Sequence, residues 1–201
     1  MNSRRLTILA VLIGALVLGA VLWRLVSPPA PAGPLAGSGV GGSFSLIDQD
    51  GKVFTDKDLK GKYSLVYFGY TFCPDVCPLD TQKLSAGLVA FEKSDPKLGA
   101  KVQPVFVTVD PERDTPAVLK QFVAAFHPRL VGLTGTVPQV ETAKKAYRIY
   151  ARRAGPPAAT DYLVDHMAVI YLMGPEGQPI SFLGHDATVP QVTDELRKYV
   201  R

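Results

Sequence analysis

Cysteine is almost missing from this chain, with two in 201 residues. Two are too few to staple a domain of this size, so the pair is there for chemistry rather than scaffolding. Neither stands in a lipobox-type position, which excludes a lipidated thiol as an anchor. Internal repeats are lacking, so a solenoid is not expected. A basic stripe is lacking too. The formal charge is +4, and setting aside Arg4, Arg5 and Arg24 leaves about +1, which gives nucleic acid no electrostatic footprint.

What is present begins with an uncharged, mostly apolar run from Leu6 to Trp23, in which Thr7 is the polar member. At about 1.5 Å per residue it nearly spans a hydrocarbon core of about 30 Å. The sequence therefore predicts one transmembrane helix within residues 1–26. A cleaved signal peptide is the rival, with Ala30-Pro31-Ala32 as its cleavage-like site. Arg4 and Arg5 precede the run and Arg24 alone follows it closely, which favours a cytoplasmic N-terminus. The rest of the chain then lies on the exported, periplasmic side of a bacterial-type inner membrane. Residues 27–43, rich in Pro, Gly, Ala and Ser, read as a linker. Residues 44–201 suffice for one domain with a proper core.

Within that domain, Asp50-Gly51 between two short alternating runs signals an N-terminal hairpin. Lys62 to Tyr70 and Val102 to Asp110 read as buried strands. Helical spacing of Leu84, Leu88 and Phe91 follows the first, ending at Ser94-Asp95-Pro96. Asp114-Thr115-Pro116 opens a second helix through Leu119, Phe122, Val123 and Phe126, closed by His127-Pro128. A short strand, LVGLTG, and a helix from Val137 to Tyr150 come next, then a loop from Gly155 to Tyr162. His166 to Gly184 reads as strand, turn and strand, and Pro190 to Tyr199 as a terminal helix. Strands alternating with helices predict an α/β domain with parallel crossovers and a late antiparallel hairpin.

The cysteines lie in TFCPDVCP, Thr71 to Pro78, between a buried strand and a helix. That is the carboxyl edge of the sheet, where α/β proteins build sites. A helix N-terminus there favours thiolate. If the segment is helical, Cys73 and Cys77 share a face at i, i+4. Two convergent thiolates form a soft chelate suited to copper(I) or zinc. A third ligand would come from His127, at a helix end with a capping or surface role as its ordinary reading; from His185, in a loop before the last helix; or from His166, at a strand end after Asp165. Pattern alone leaves the three open.

The order of strand, cysteine pair, helix, strand and hairpin is similar to the thioredoxin fold. Where thioredoxins carry a cis-proline against the redox cysteines, this chain has Asp165-His166-Met167. GYTFCPDVCP, VTVDPERDTP and YLVDHMAVIYLMGPEG resemble, in order, the three signature blocks of the Sco/SenC family. Members are membrane-tethered, thioredoxin-fold copper proteins that help assemble the copper A site of cytochrome c oxidase. The resemblance implies that Cys73, Cys77 and His166 bind copper(I) and copper(II), and that the partner is the copper A subunit or another cuproprotein. Some members have a histidine before the first cysteine; here Phe72 stands there. A thiol-disulfide reductase keeping an acceptor's cysteines reduced is the alternative, with Cys73 and Cys77 as the redox pair.

Other residues near these blocks have ordinary readings. Asp75 is a turn residue or a docking group. Asp110, Glu112 and Asp114 end another strand and can line the same surface, with Asp114 already explained as a helix cap. Tyr67, Phe68 and Tyr70 read as core, and Met167 and Met173 as packing on a buried strand.

Overall fold

The computed structural model describes residues 8, 11–19, 22, 32–156 and 161–201. The chain divides into two units, 1–31 and 32–201. In the first, residues 8, 11–19 and 22 are helical; the rest of the run Leu6 to Trp23 lies outside the described residues, as do most of the Ala30-Pro31-Ala32 site and residues 157–160. Among the described residues no helix is long and apolar enough to cross a membrane.

The second unit is built on β1 (Ser45–Asp48), β2 (Val53–Thr55), β3 (Tyr63–Gly69), β4 (Val102–Thr108), β5 (Val131–Thr134), β6 (Ala151–Ala154), β7 (Leu163–His166), β8 (Val169–Met173) and β9 (Pro179–Gly184). Among the described residues, seven form one sheet in the order β2-β1-β5-β4-β3-β8-β9, and β6 pairs with β7 alone. Strands β3, β4 and β5 are parallel, while β8 and β9 run antiparallel, as does the β1–β2 hairpin. This is a mixed α/β, thioredoxin-like fold. The hairpin turns where expected: Gly51 adopts φ +79°, and Asp48 Oδ1 accepts from the backbone N–H of Asp50 and Lys52, each at 2.9 Å.

Every residue of β3 is buried, which explains its mostly apolar and aromatic composition, Ser64 excepted, between neighbours on both sides. The helices are α1 (Val76–Ser94), α2 (Pro96–Gly99), α3 (Pro116–Val123), α4 (Val137–Ala146) and α5 (Val189–Tyr199). Helices α1 and α5 meet at Gly87, where an added Cβ would lie 2.5 Å from Val192 side-chain atoms.

Four expectations need correcting. The stretch 33–43 is not wholly linker: Leu35 N–H donates to Ile180 O at 3.0 Å and Gly41 N–H to Ala146 O at 2.9 Å. The glycines that suggested flexibility instead supply positive-φ bends along the domain surface. Helix α4 stops at Ala146 rather than Tyr150, because Arg148 turns to φ 55° and sends the chain into β6. His166 ends β7 rather than starting the hairpin, and it pairs with Ala151. The cap of α3 is Thr115, whose Oγ1 accepts from Val118 N–H at 3.4 Å; Asp114 has another task.

Candidate metal centre

Strand β3 delivers the chain to the carboxyl edge of the sheet, and the segment from Tyr70 to Asp75 carries Cys73 before α1 starts at Val76. Cys77 falls in the first turn of α1 and is fully buried, whereas Cys73 is partly exposed. The backbone N–H of Cys77 donates to Cys73 Sγ at 3.4 Å. Thus the two sulfurs belong to one loop-to-helix turn, not to successive turns of a helix.

His166 reaches the same point from β7, with Nε2 3.2 Å from Cys77 Sγ. Its ring is held edge-on by Tyr70, at 5.8 Å and 87°, and Tyr67, at 6.4 Å and 83°. Tyr70 in turn accepts the backbone N–H of Val164 at 3.2 Å, tying β7 to the end of β3. Tyrosines expected only in the core are therefore also the walls of the site. Phe68, fully buried, stays in the core.

Burial pushes the Cys77 thiol well above its ordinary range. That corrects the expectation of a favoured thiolate at this cysteine. A helix terminus contributes about 0.3–1 kcal/mol, while full burial shifts a pKa by up to about 3–5 units. Burial also lowers His166, with the Met167 backbone opposing. Both directions favour the uncharged forms, a protonated thiol and a neutral imidazole, in contact through Sγ and Nε2. The other ring nitrogen, Nδ1, is buried without a hydrogen-bond partner.

These atoms fit a soft metal ion. Metal–sulfur and metal–nitrogen bonds of about 2.3 and 2.0 Å at a tetrahedral angle set sulfur and nitrogen roughly 3.6 Å apart, close to the observed spacing. Among the described residues, no three His, Cys, Asp or Glu side chains already stand as a metal cluster. Cys73 Sγ, which accepts from the Cys77 backbone N–H, is the remaining soft donor beside this pair. The site opens on a cleft of about 490 Å³ lined by Tyr70, Cys73, Asp75, His166, Ala168 and His185.

The other candidates separate. His127 is buried, not a surface residue: Nδ1 accepts from Arg129 N–H at 3.1 Å and Nε2 lies 3.2 Å from Glu92, in a network remote in the fold from β7. His185 is exposed on the rim of the cleft, and its carbonyl accepts from Lys83 Nζ at 2.7 Å. Asp75 is exposed and makes no side-chain cap to α1. Met173 is buried as expected, but Met167 is 40% exposed, because it falls between β7 and β8 rather than within a buried strand.

Asp114 is fully buried and accepts from Thr71 N–H at 3.0 Å, Thr71 Oγ1 at 2.5 Å and Thr108 Oγ1 at 2.6 Å. It pins the start of the cysteine loop to the end of β4. Asp110 accepts from Tyr162 Oη at 2.7 Å and Arg113 Nε at 2.6 Å. Arg113 lies over the rings of Tyr162, at 3.6 Å, and Phe72, at 4.8 Å. Asp110 and Asp114 thus brace the segments around the site. Sequence reasoning passed over Asp80, Arg113, Tyr162 and Gly69, whose roles depend on contacts distant in sequence.

The sequence profile of the SCO1/SenC family matches residues 33–201. The chain belongs to the SCO1/SenC family. It is 44% identical over 170 residues to Protein SCO1 homolog 1, mitochondrial, of Arabidopsis thaliana, covering 84% of this chain and 50% of that protein. With the yeast relative, Protein SCO1, mitochondrial, of Saccharomyces cerevisiae, identity is 44% over 168 residues, covering 80% of this chain and 55% of that one. The chain therefore spans about half the length of these curated relatives. The copper-bound structure of Bradyrhizobium japonicum ScoI superposes with a TM-score of 0.71 at 42% identity, over 80% of this chain and 99% of that one.

Proposed function

We propose that this SCO1/SenC protein binds copper through Cys73, Cys77 and His166 and passes it to the copper A subunit during cytochrome c oxidase assembly. The observation that carries this reading is the 3.2 Å approach of Cys77 Sγ to His166 Nε2, from elements far apart in sequence. Two sulfur donors and one imidazole suit copper(I), and an added water or other donor would let the same set hold copper(II). Copper here is cargo. Partly exposed Cys73 offers it an entrance, and buried Cys77 with half-buried His166 holds it at the base of the cleft. Both the family membership and the relative with copper bound support the reading.

The apolar run Leu6 to Trp23 would hold the domain to the membrane on its exported face. The helical conformation of residues 11–19 and the charges of Arg4 and Arg5 support this. Protein found in the soluble fraction with a mature N-terminus near Gly33 would sink it.

A second reading is favoured by the thiol pair itself. Cys73, partly exposed, is placed to attack an acceptor's disulfide, and Cys77, beside it, to resolve the mixed disulfide. Two thiols become one disulfide here while the acceptor's disulfide gains two electrons and two protons. The test is copper loading of the reduced full chain, followed by mixing with a metal-free copper A domain. Uptake of copper and its appearance in that domain supports the chaperone. Failure to take up copper refutes it and leaves the reductase.

A further inference from the structure

The two halves of the metal centre come from different supports. Cys73 and Cys77 belong to the segment that joins β3 to α1, whereas His166 ends a ribbon, β6 with β7, that among the described residues pairs with no strand of the seven-stranded sheet. No backbone ladder therefore fixes where this ribbon stands, and side chains must do so. Two hydrogen bonds contribute: Tyr70 Oη accepts from Val164 N–H at 3.2 Å, and Asp110 Oδ1 accepts from Tyr162 Oη at 2.7 Å.

The third contact is Arg113. Its guanidinium lies over the Tyr162 ring, with Cζ 3.6 Å from the centroid, and also stands 4.8 Å from the centroid of Phe72 and 5.8 Å from that of Tyr70. Nε donates to Asp110 Oδ2 at 2.6 Å, so one carboxylate holds both the guanidinium and the Tyr162 hydroxyl. Nη2 is buried with no hydrogen-bond partner, which leaves contact with the ring faces as its compensation. Phe72 is 51% exposed beside Cys73, and its contact with the guanidinium gives that large aromatic group a task. An ion pair between residues three apart, closing the turn after β4, is the ordinary reading of Arg113. It leaves the contacts with Tyr162 and Phe72 unexplained.

We propose that Arg113 is a positioning residue for the metal centre: its guanidinium, aimed by Asp110, joins the cysteine segment at Phe72 to the His166 ribbon at Tyr162 and so sets the approach of His166 to Cys77. Arg113→Lys keeps a cation for Asp110 but has no planar face to lay against the rings. Phe72→Leu keeps an apolar side chain at the surface and removes the ring on the cysteine side. Both changes loosen the ribbon while Cys73, Cys77 and His166 stay in the chain. A metal ion must then draw the ribbon back into place, and its affinity falls by the cost of that ordering.

The inference rests on the proposed copper site for one arm of its test and stands apart from it in the other. In the reduced full chain, competition titrations with a copper(I) chelator should show Arg113→Lys binding copper(I) about three- to thirtyfold more weakly than the wild type, and Phe72→Leu about two- to fivefold, the range of a cation–π contact. In the His166→Ala background neither change should weaken copper(I) binding further, because the ribbon then brings no ligand. In the metal-free chain, hydrogen exchange at the Val164 N–H should quicken in Arg113→Lys, because its acceptor, Tyr70 Oη, belongs to the end of β3 and not to the ribbon. A purely local pair with Asp110 predicts wild-type affinity and wild-type exchange in Arg113→Lys. That result overturns the inference, as does an equal loss of affinity with and without His166. Should Arg113→Lys fail to fold, Phe72→Leu decides by the same comparison. A wild-type chain that takes up no copper(I) refutes the copper reading, and exchange at Val164 then judges the Arg113 contact alone.

Discussion

Cys77 Sγ and His166 Nε2 lie 3.2 Å apart, one in the first turn of α1 and the other at the end of β7. Burial favours the protonated form of the Cys77 thiol. A metal held by the Cys77 sulfur displaces the thiol proton, so metal binding is linked to pH. Copper(I) affinity should rise with pH across the neutral range, by about tenfold per pH unit for each proton displaced. Competition titrations at several pH values check this. An affinity independent of pH would show that Cys77 is not a ligand, or that it is already ionised.

The pH dependence of folding has the opposite owner. His166 has its pKa lowered from 6.5 by burial, so the folded state resists taking up a proton that the unfolded chain accepts. Its contribution to stability is present above about 6.5 and is lost as pH falls toward the lower folded value. Denaturant melts of the metal-free protein should show stability declining below pH 6.5, and His166→Gln should flatten that decline.

Gly69 closes β3 against the cluster, where a Cβ would press on the Tyr67 ring, Cys77 Sγ and, at 3.2 Å, Phe106. Gly69→Ala should cost about 1–3 kcal/mol by overpacking, read as a lowered melting temperature, and should broaden the copper(II) spectrum.

Asp114→Ala removes the acceptor for one backbone N–H and two hydroxyls that anchor the cysteine loop. Buried donors left unpaired cost about 1–3 kcal/mol. Stability to urea should fall by this order, and hydrogen exchange at Thr71 should quicken. Unchanged protection at Thr71 would deny Asp114 its anchoring role.

The parts legible in the sequence were those fixed by local pattern. The Asp50-Gly51 turn, the buried β3 run and the capped helices follow from near neighbours, and the structure has them. What escaped depends on distant partners. Nothing around Ala151–Ala154 announces a strand, since its two central residues are Arg152 and Arg153 and its pairing is with Leu163–His166 alone. Asp114 looks like a cap because it precedes Thr115-Pro116, and only the nearness of Thr71 gives it another use. The Cys77 thiol looked activated by a helix end because sequence spacing carries no information on depth. Cys73 and Cys77 stand out by scarcity and position, whereas the resemblance singles out His166, since spacing alone leaves three histidines open. The fold then placed His166 against Cys77, and His127 in a separate network with Glu92.

That network gives a control. His127→Ala leaves the Arg129 N–H without its acceptor and Glu92 without one partner, so the protein should lose about 1–3 kcal/mol of stability. Its copper spectrum should stay as in the wild type, measured at a temperature where both are folded.

The most direct measurement is the copper(II) absorption spectrum of the reduced full chain beside that of His166→Ala. The account predicts a thiolate-to-copper band in the wild type that is shifted or lost in His166→Ala with sharply weaker binding, while Cys73 and Cys77 still form a disulfide and still exchange with a small thiol. The wild-type band surviving unchanged in His166→Ala would contradict it.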